Sequence, residues 1–188
     1  RISQALHLPV PQSLSDAAAL TAGLRSLASQ PPGATALIPT LFDHAAHPRL
    51  AEALGAGADW AAAHKAAQAQ FAAPAWSTNL AALRPALVRG QASFFSRLFG
   101  GYRRASAELA SLLTGALPKA PSERLALLDQ LADVQARRAR LAEEEPWLQA
   151  TLGPEWRGER TCFAEVQAAA HWLAAVRRAG AFNTVAQL

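Results

Sequence analysis

The chain has 188 residues, with 18 Lys and Arg against 14 Asp and Glu, a formal net charge of +4, one cysteine and no methionine. That length allows one domain with a real core, or two small helical units in series. A lone Cys162 rules out an internal disulfide, and no apolar stretch is both long and charge-free enough to span a bilayer. Signal-peptide architecture is missing too, so a cytoplasmic location with no membrane partner is expected. The chain opens on Arg1 without an initiator methionine, which leads us to expect a fragment of a longer protein.

Alanine fills 47 positions and leucine 27, whereas valine and isoleucine together fill 8. Strong helix formers dominate and β-branched strand formers are scarce, so the expected fold is all-α. Pro9 and Pro11 precede a helix capped by Ser13, with Asp16 at the capping-box spacing and Leu20, Leu24 and Leu27 on one face as far as Ser29. Pro31, Pro32 and Gly33 end it, and the stretch to Pro39 reads as a loop. A helical region from Pro48 to Phe71 follows, weakened by Gly55 and Gly57 and compatible with two short helices. Pro74 breaks it, and Ser77 is the candidate cap of the next helix, with a possible kink at Pro85.

Phe94, Phe95, Leu98, Phe99, Tyr102, Leu109, Leu112 and Leu113 recur at spacings of three and four, which predicts one helix over 91–113 with a wide buried stripe. Gly100 and Gly101 lie inside that pattern. A second strong helix is predicted over 122–144, where Leu127, Leu131, Val134, Arg138 and Leu141 form a coiled-coil-like 4-3-4-3 seam ended by Pro146. Residues 147–160 read as a connector anchored by Trp147 and Trp156. The last helix spans 161–182, with Phe163, Val166, Ala170, Leu173 and Val176 inward. The predicted architecture is an N-terminal helical segment over 1–75 and an antiparallel helical bundle over 76–188 with coiled-coil-like packing, unless the two form one continuous domain.

No G-x-x-x-x-G-K-[ST] phosphate loop is present, and Gly55-Ala56-Gly57 reads as a helix break, not as part of a dinucleotide fingerprint. His44 and His47 beside Asp43 share a helical face but lack the further ligands that zinc needs. His171, next to Trp172, reads as a partly buried histidine, and Cys162 as packing. Glu143, Glu144 and Glu145 point in different directions on a helix and read as a solvated helix end. Neither a cofactor nor catalytic activity is expected.

The charge distribution carries the one functional signal. Between Asp59 and Glu108 no acidic residue occurs, yet Lys65, Arg84, Arg89, Arg97, Arg103 and Arg104 do. Arg97 and Arg104 are seven apart on one helical face, with Arg103 adjacent, and such a face can track phosphates. Tyr102 beside them can stack on a base or pack in the core. The same arginines also fit a solvated helix face, or pairs with Glu108 or with the 143–145 run.

The sequence "SFFSRLFGGYRRASAELASLL" at 93–113, "LALLDQLADVQARRARL" at 125–141 and "LGPEWRGERT" at 152–161 come in this order. A tryptophan-bearing helix ending in Arg177 and Arg178 follows. This arrangement resembles the helical insert of very large bacterial superfamily-one helicase-like ATPases, and the leading "ALHLPVP" is compatible with it. Arg97-Leu98-Phe99, Tyr102-Arg103 and Trp156-Arg157-Gly158 carry the likeness. The resemblance implies a parent that couples ATP hydrolysis to movement on nucleic acid, and a module that projects from the motor without catalytic residues of its own.

Two functions are therefore expected as alternatives. One is a non-catalytic accessory module contacting nucleic acid, DNA rather than RNA, through Arg97, Arg103 and Arg104, with Lys65, Arg84 and Arg89 behind them, or positioning a partner or the rest of the parent chain. The other is a protein-interaction bundle with no nucleic-acid role.

Overall fold

The structure, a computed structural model, describes residues 12–93, 95 and 100–178, without the side chains of Ala19, Leu20 and Arg178. The chain is all-α and its helices pack against one another as a helical bundle. The described helices are α1 (Leu14–Ala28), α2 (Ala34–Leu41), α3 (Pro48–Ala67), α4 (Leu83–Ala92), α5 (Gly100–Ser111), α6 (Pro121–Leu152) and α7 (Phe163–Arg178). No described helix is long and apolar enough to cross a membrane.

Two compact units form, one from residues 1–57 with 144–188 and the other from 58–143, so the division does not follow the 75/76 line. The first unit holds α1, α2 and α7. The capping box is made: the Ser13 hydroxyl accepts from the Asp16 N–H at 3.0 Å, and the Asp16 carboxylate accepts from the Ser13 N–H at 3.0 Å. Both α1 and α2 pack on α7. From α7, the Trp172 indole donates to the Ser26 carbonyl at 2.6 Å and Arg177 donates to the Phe42 carbonyl at 2.8 Å. These carbonyls lie at the C-terminal ends of α1 and α2, where the helical ladder leaves acceptors without intrahelical partners. A β-carbon on Gly57 would overlap the ring of Phe163, so glycine there permits a close approach.

The expected loop after Gly33 is instead the helix α2, because Ala34, Leu37 and Leu41 form a buried face that outweighs the internal Pro39. Likewise Pro146 does not end α6, which continues to Leu152. Burial of Leu148 and Leu152 offsets the hydrogen bond that proline removes. Trp147 is therefore helical and not part of a connector. Gly55 and Gly57 do not split α3. Cys162 and His171 are exposed, against the expected packing roles, since the inward face of α7 is taken by Phe163, Val166, Ala169, Ala170 and Leu173.

In the unit formed by 58–143, α4 packs on α5. An isolated antiparallel bridge between Phe71 and Leu113 joins the chain after α3 to the chain after α5. The Ala72 N–H donates to Leu112 O at 2.8 Å and the Thr114 N–H to Gln70 O at 3.0 Å. The short 3-10 turn Ala73–Trp76 has its carbonyls met from α6. Gln135 donates to Ala75 O at 2.7 Å and to Thr78 O at 2.9 Å, and Arg138 to Trp76 O at 3.2 Å. The α6 seam is largely as expected, with Leu131, Val134 and Leu141 buried and Leu127 and Arg138 half-buried. Ser77 closes that 3-10 turn and does not cap α4.

Candidate nucleic-acid interface

The single helix expected over 91–113 is two helices. α4 ends at Ala92, Ser93 is extended with φ −143° and ψ 131°, and α5 starts at Gly100. The break re-sorts the apolar stripe. Tyr102, Leu109 and Leu112 are buried, whereas Phe95 is 72% exposed. Phe94, Leu98, Phe99 and the candidate phosphate contact Arg97 lie outside the described residues.

Tyr102 fixes the corner between the helices. A β-carbon on Gly90 of α4 would overlap the Tyr102 ring, so only glycine lets α4 and α5 approach this closely. The Tyr102 hydroxyl accepts from Arg124 at 3.2 Å, and the same guanidinium donates to Ser106 Oγ at 3.2 Å and Pro118 O at 2.7 Å. Tyr102 is thus a core residue, and stacking on a base is closed to it. Arg124 had no place in the sequence-based site, and its role is structural. The spacing between Arg124, Ser106 and Tyr102 is not local, so no pattern in the sequence could have announced it.

The remaining cations divide by what they touch. Arg84 donates through Nε to Asp129 Oδ1 at 2.8 Å. The hydrogen bond and the charge of Asp129 hold this guanidinium above its ordinary range. Arg137 is raised in the same way by Asp133, four residues back on α6, with Oδ2 at 2.9 Å. Arg89 is exposed and donates to Pro85 O at 3.3 Å. Lys65 is exposed on α3. Arg103 and Arg104 are exposed on α5, and among the described residues neither has a carboxylate at ion-pair distance. Among the described residues Glu108 has no ion pair, so Arg103 and Arg104 do not pair with it, and Glu144 pairs with Arg49 at 3.2 Å; the expected pairing of Arg97 lies outside the described residues.

Placement adds to this. Arg103 and Arg104 stand near the N-terminus of α5, which has no acidic residue in its first turn. The helix dipole is positive there, so two arginines deepen the positive potential instead of offsetting it. The Gly90–Tyr102 contact also brings together the segments carrying Arg89 and Arg103, each the chain neighbour of a contacting residue.

Elsewhere, His44 and His47 both flank Trp147, with ring centroids 6.3 Å apart in each case, and His47 Nδ1 accepts from the Arg49 N–H at 3.2 Å. These are packing and capping roles. Among the described residues no group of three or more His, Cys, Asp or Glu is placed to hold a metal ion. Comparison with family models, with curated proteins and with solved structures finds no match to this chain.

Proposed function

We propose that this chain is a non-catalytic helical accessory module that contacts nucleic acid, DNA in preference to RNA, through the unit formed by residues 58–143. The observation that carries this reading is the pair Arg103 and Arg104, exposed at the positive end of a helix with no described carboxylate paired to them. The unit holds eleven Lys and Arg against six Asp and Glu, a net charge of +5. Phosphate contacts by such residues supply sequence-independent affinity and steer association. The larger protein we assign it to is a helicase-like ATPase, on the strength of the sequence pieces at 93–113, 125–141 and 152–161. Within such a protein the module would hold nucleic acid or a neighbouring domain in place while the motor does the chemistry.

The test is binding of the purified chain to labelled DNA across a salt series, with the Arg103→Gln/Arg104→Gln double variant alongside. Affinity should fall linearly on a log–log salt plot, and the variant should bind more weakly with a shallower slope. Absence of binding at low salt would reject the reading.

A second reading has its own observation. An apolar groove of about 480 Å³ is lined by Leu80, Pro85, Val88, Leu128 and Ala132, with Arg84 at its edge. A partner helix could lay its apolar face there. Docking of that kind would be abolished by Val88→Asp and would be indifferent to Arg103 and Arg104.

A further inference from the structure

We infer that the apolar groove between α4 and α6 docks an amphipathic helix of a protein partner, with acidic residues along the flank that faces α4. This rests on the docking reading above and adds the partner's chemistry to it. On the α4 side, Val88 is 38% exposed and Pro85, one turn before it, is exposed as well. On the α6 side stand Leu128 and Ala132, also one turn apart, and the buried Leu80 lines the groove with them. Two apolar ridges of this kind bound a trough of about 480 Å³. Such a trough takes apolar side chains recurring at helical spacing. Apart from Arg84 its lining offers phosphates no charged donor, so its occupant differs from that of Arg103 and Arg104.

The rim sets the sign of the partner. Arg84 lines the groove, and Arg89 follows Val88 on the same helix, which contains no acidic residue. Arg84 meets Asp129 through Nε at 2.8 Å and through Nη2 at 3.5 Å, leaving further N–H donors of this exposed guanidinium unbonded. Arg89 spends Nε on the Pro85 carbonyl and has no carboxylate at ion-pair distance among the described residues. The carboxylates of α6 beside the groove are already engaged, Asp129 by Arg84 and Asp133 by Arg137. The charge left over on the described rim is therefore positive. An acidic flank complements it and a basic flank is repelled.

The experiment titrates the full chain into two labelled synthetic helical peptides that share one leucine ridge, flanked by glutamates in one and by lysines in the other. At low salt the glutamate peptide should bind roughly two- to thirtyfold tighter, the range that two exposed ion pairs imply. Added salt should narrow that gap. Val88→Asp should weaken its binding roughly tenfold or more, because a carboxylate is driven against apolar side chains. Ala81→Gln crowds the groove from another wall without changing charge and should act in the same direction. Arg84→Gln/Arg89→Gln should erase the preference between the peptides, and Arg103→Gln/Arg104→Gln should leave it intact. Circular dichroism confirms that each variant is folded. Equal binding of both peptides that Val88→Asp abolishes would overturn the acidic flank and leave the docking reading standing. No binding of either peptide would overturn both. Glutamate-peptide binding that ignores Val88→Asp and Ala81→Gln, or that is lost with Arg103 and Arg104 instead, would overturn the inference, because the peptide would then lie outside the groove. Self-association in sedimentation velocity that Val88→Asp abolishes would also overturn it, since a second copy would then fill the groove.

Discussion

The two compact units employ the same side chain in different ways. In the unit built from 1–57 and 144–188, seven Lys and Arg face eight Asp and Glu, and the described arginines include clamps. Arg49 lies over the Trp147 ring at 4.8 Å while pairing with Glu144, and Arg177 caps the Phe42 carbonyl. In the unit spanning 58–143 the net charge is +5, and the described arginines include three kinds. Arg124 and Arg138 hold backbone carbonyls, Arg84 and Arg137 are ion-paired, and Arg103 and Arg104 reach solvent. What sets an arginine's role is whether an orphan carbonyl or a carboxylate stands within reach, and composition does not record that. The comparison also separates net charge from available charge, and only the second bears on a ligand.

Disrupting the clamps should cost stability without touching binding. Trp172→Ala removes a 5% exposed indole from the first unit along with its bond to Ser26 O, and a loss of roughly 3–5 kcal/mol in chemical denaturation is expected. Gly90→Val strikes the other unit by forcing the Tyr102 ring aside, and it should destabilise by about 1–3 kcal/mol. Because it also displaces the α4–α5 corner, it should weaken DNA binding as well, which Trp172→Ala should not do while the chain remains folded.

Smaller effects sharpen the contrast among arginines. Arg124→Met leaves Pro118 O, the Tyr102 hydroxyl and Ser106 Oγ without this donor, and should cost about 1–3 kcal/mol. Arg103→Met should leave the melting temperature unchanged and act on binding alone. The smallest of the expected stability losses is at the start of α1, where Ser13→Ala should cost about 1 kcal/mol through loss of the cap and leave binding unaltered.

Much of the fold was legible because it is local. The Ser13 capping box, the seam along α6 and the all-α class each follow from spacing and propensity. The misread elements were those where tertiary burial overrides a local breaker. Pro39 and Pro146 look like stops until Leu37, Leu41, Leu148 and Leu152 are seen to be buried. The discontinuous unit was invisible for a related reason, since nothing in the spacing says that α7 would cap carbonyls at the ends of α1 and α2. In the candidate site, the acid-free stretch and the pair Arg103 and Arg104 were readable. The break after Ala92 was not, because the three-and-four periodicity continues through it, and Phe95 was assigned to a buried stripe as a result. Gly90 was the available clue, a glycine inside a helix whose reason is an aromatic ring twelve residues on.

The most direct measurement compares two variants of identical net charge. Arg103→Gln/Arg104→Gln alters the basic unit, and Arg157→Gln/Arg160→Gln alters two exposed arginines of the other unit. Fluorescence anisotropy with labelled DNA across a salt series would give the slope for each. The first pair should lower the magnitude of the slope by about 1.4 on a single strand or about 1.8 on a duplex, and the second pair should leave it at the wild-type value. Equal changes in the two variants, or none in the first, would contradict it.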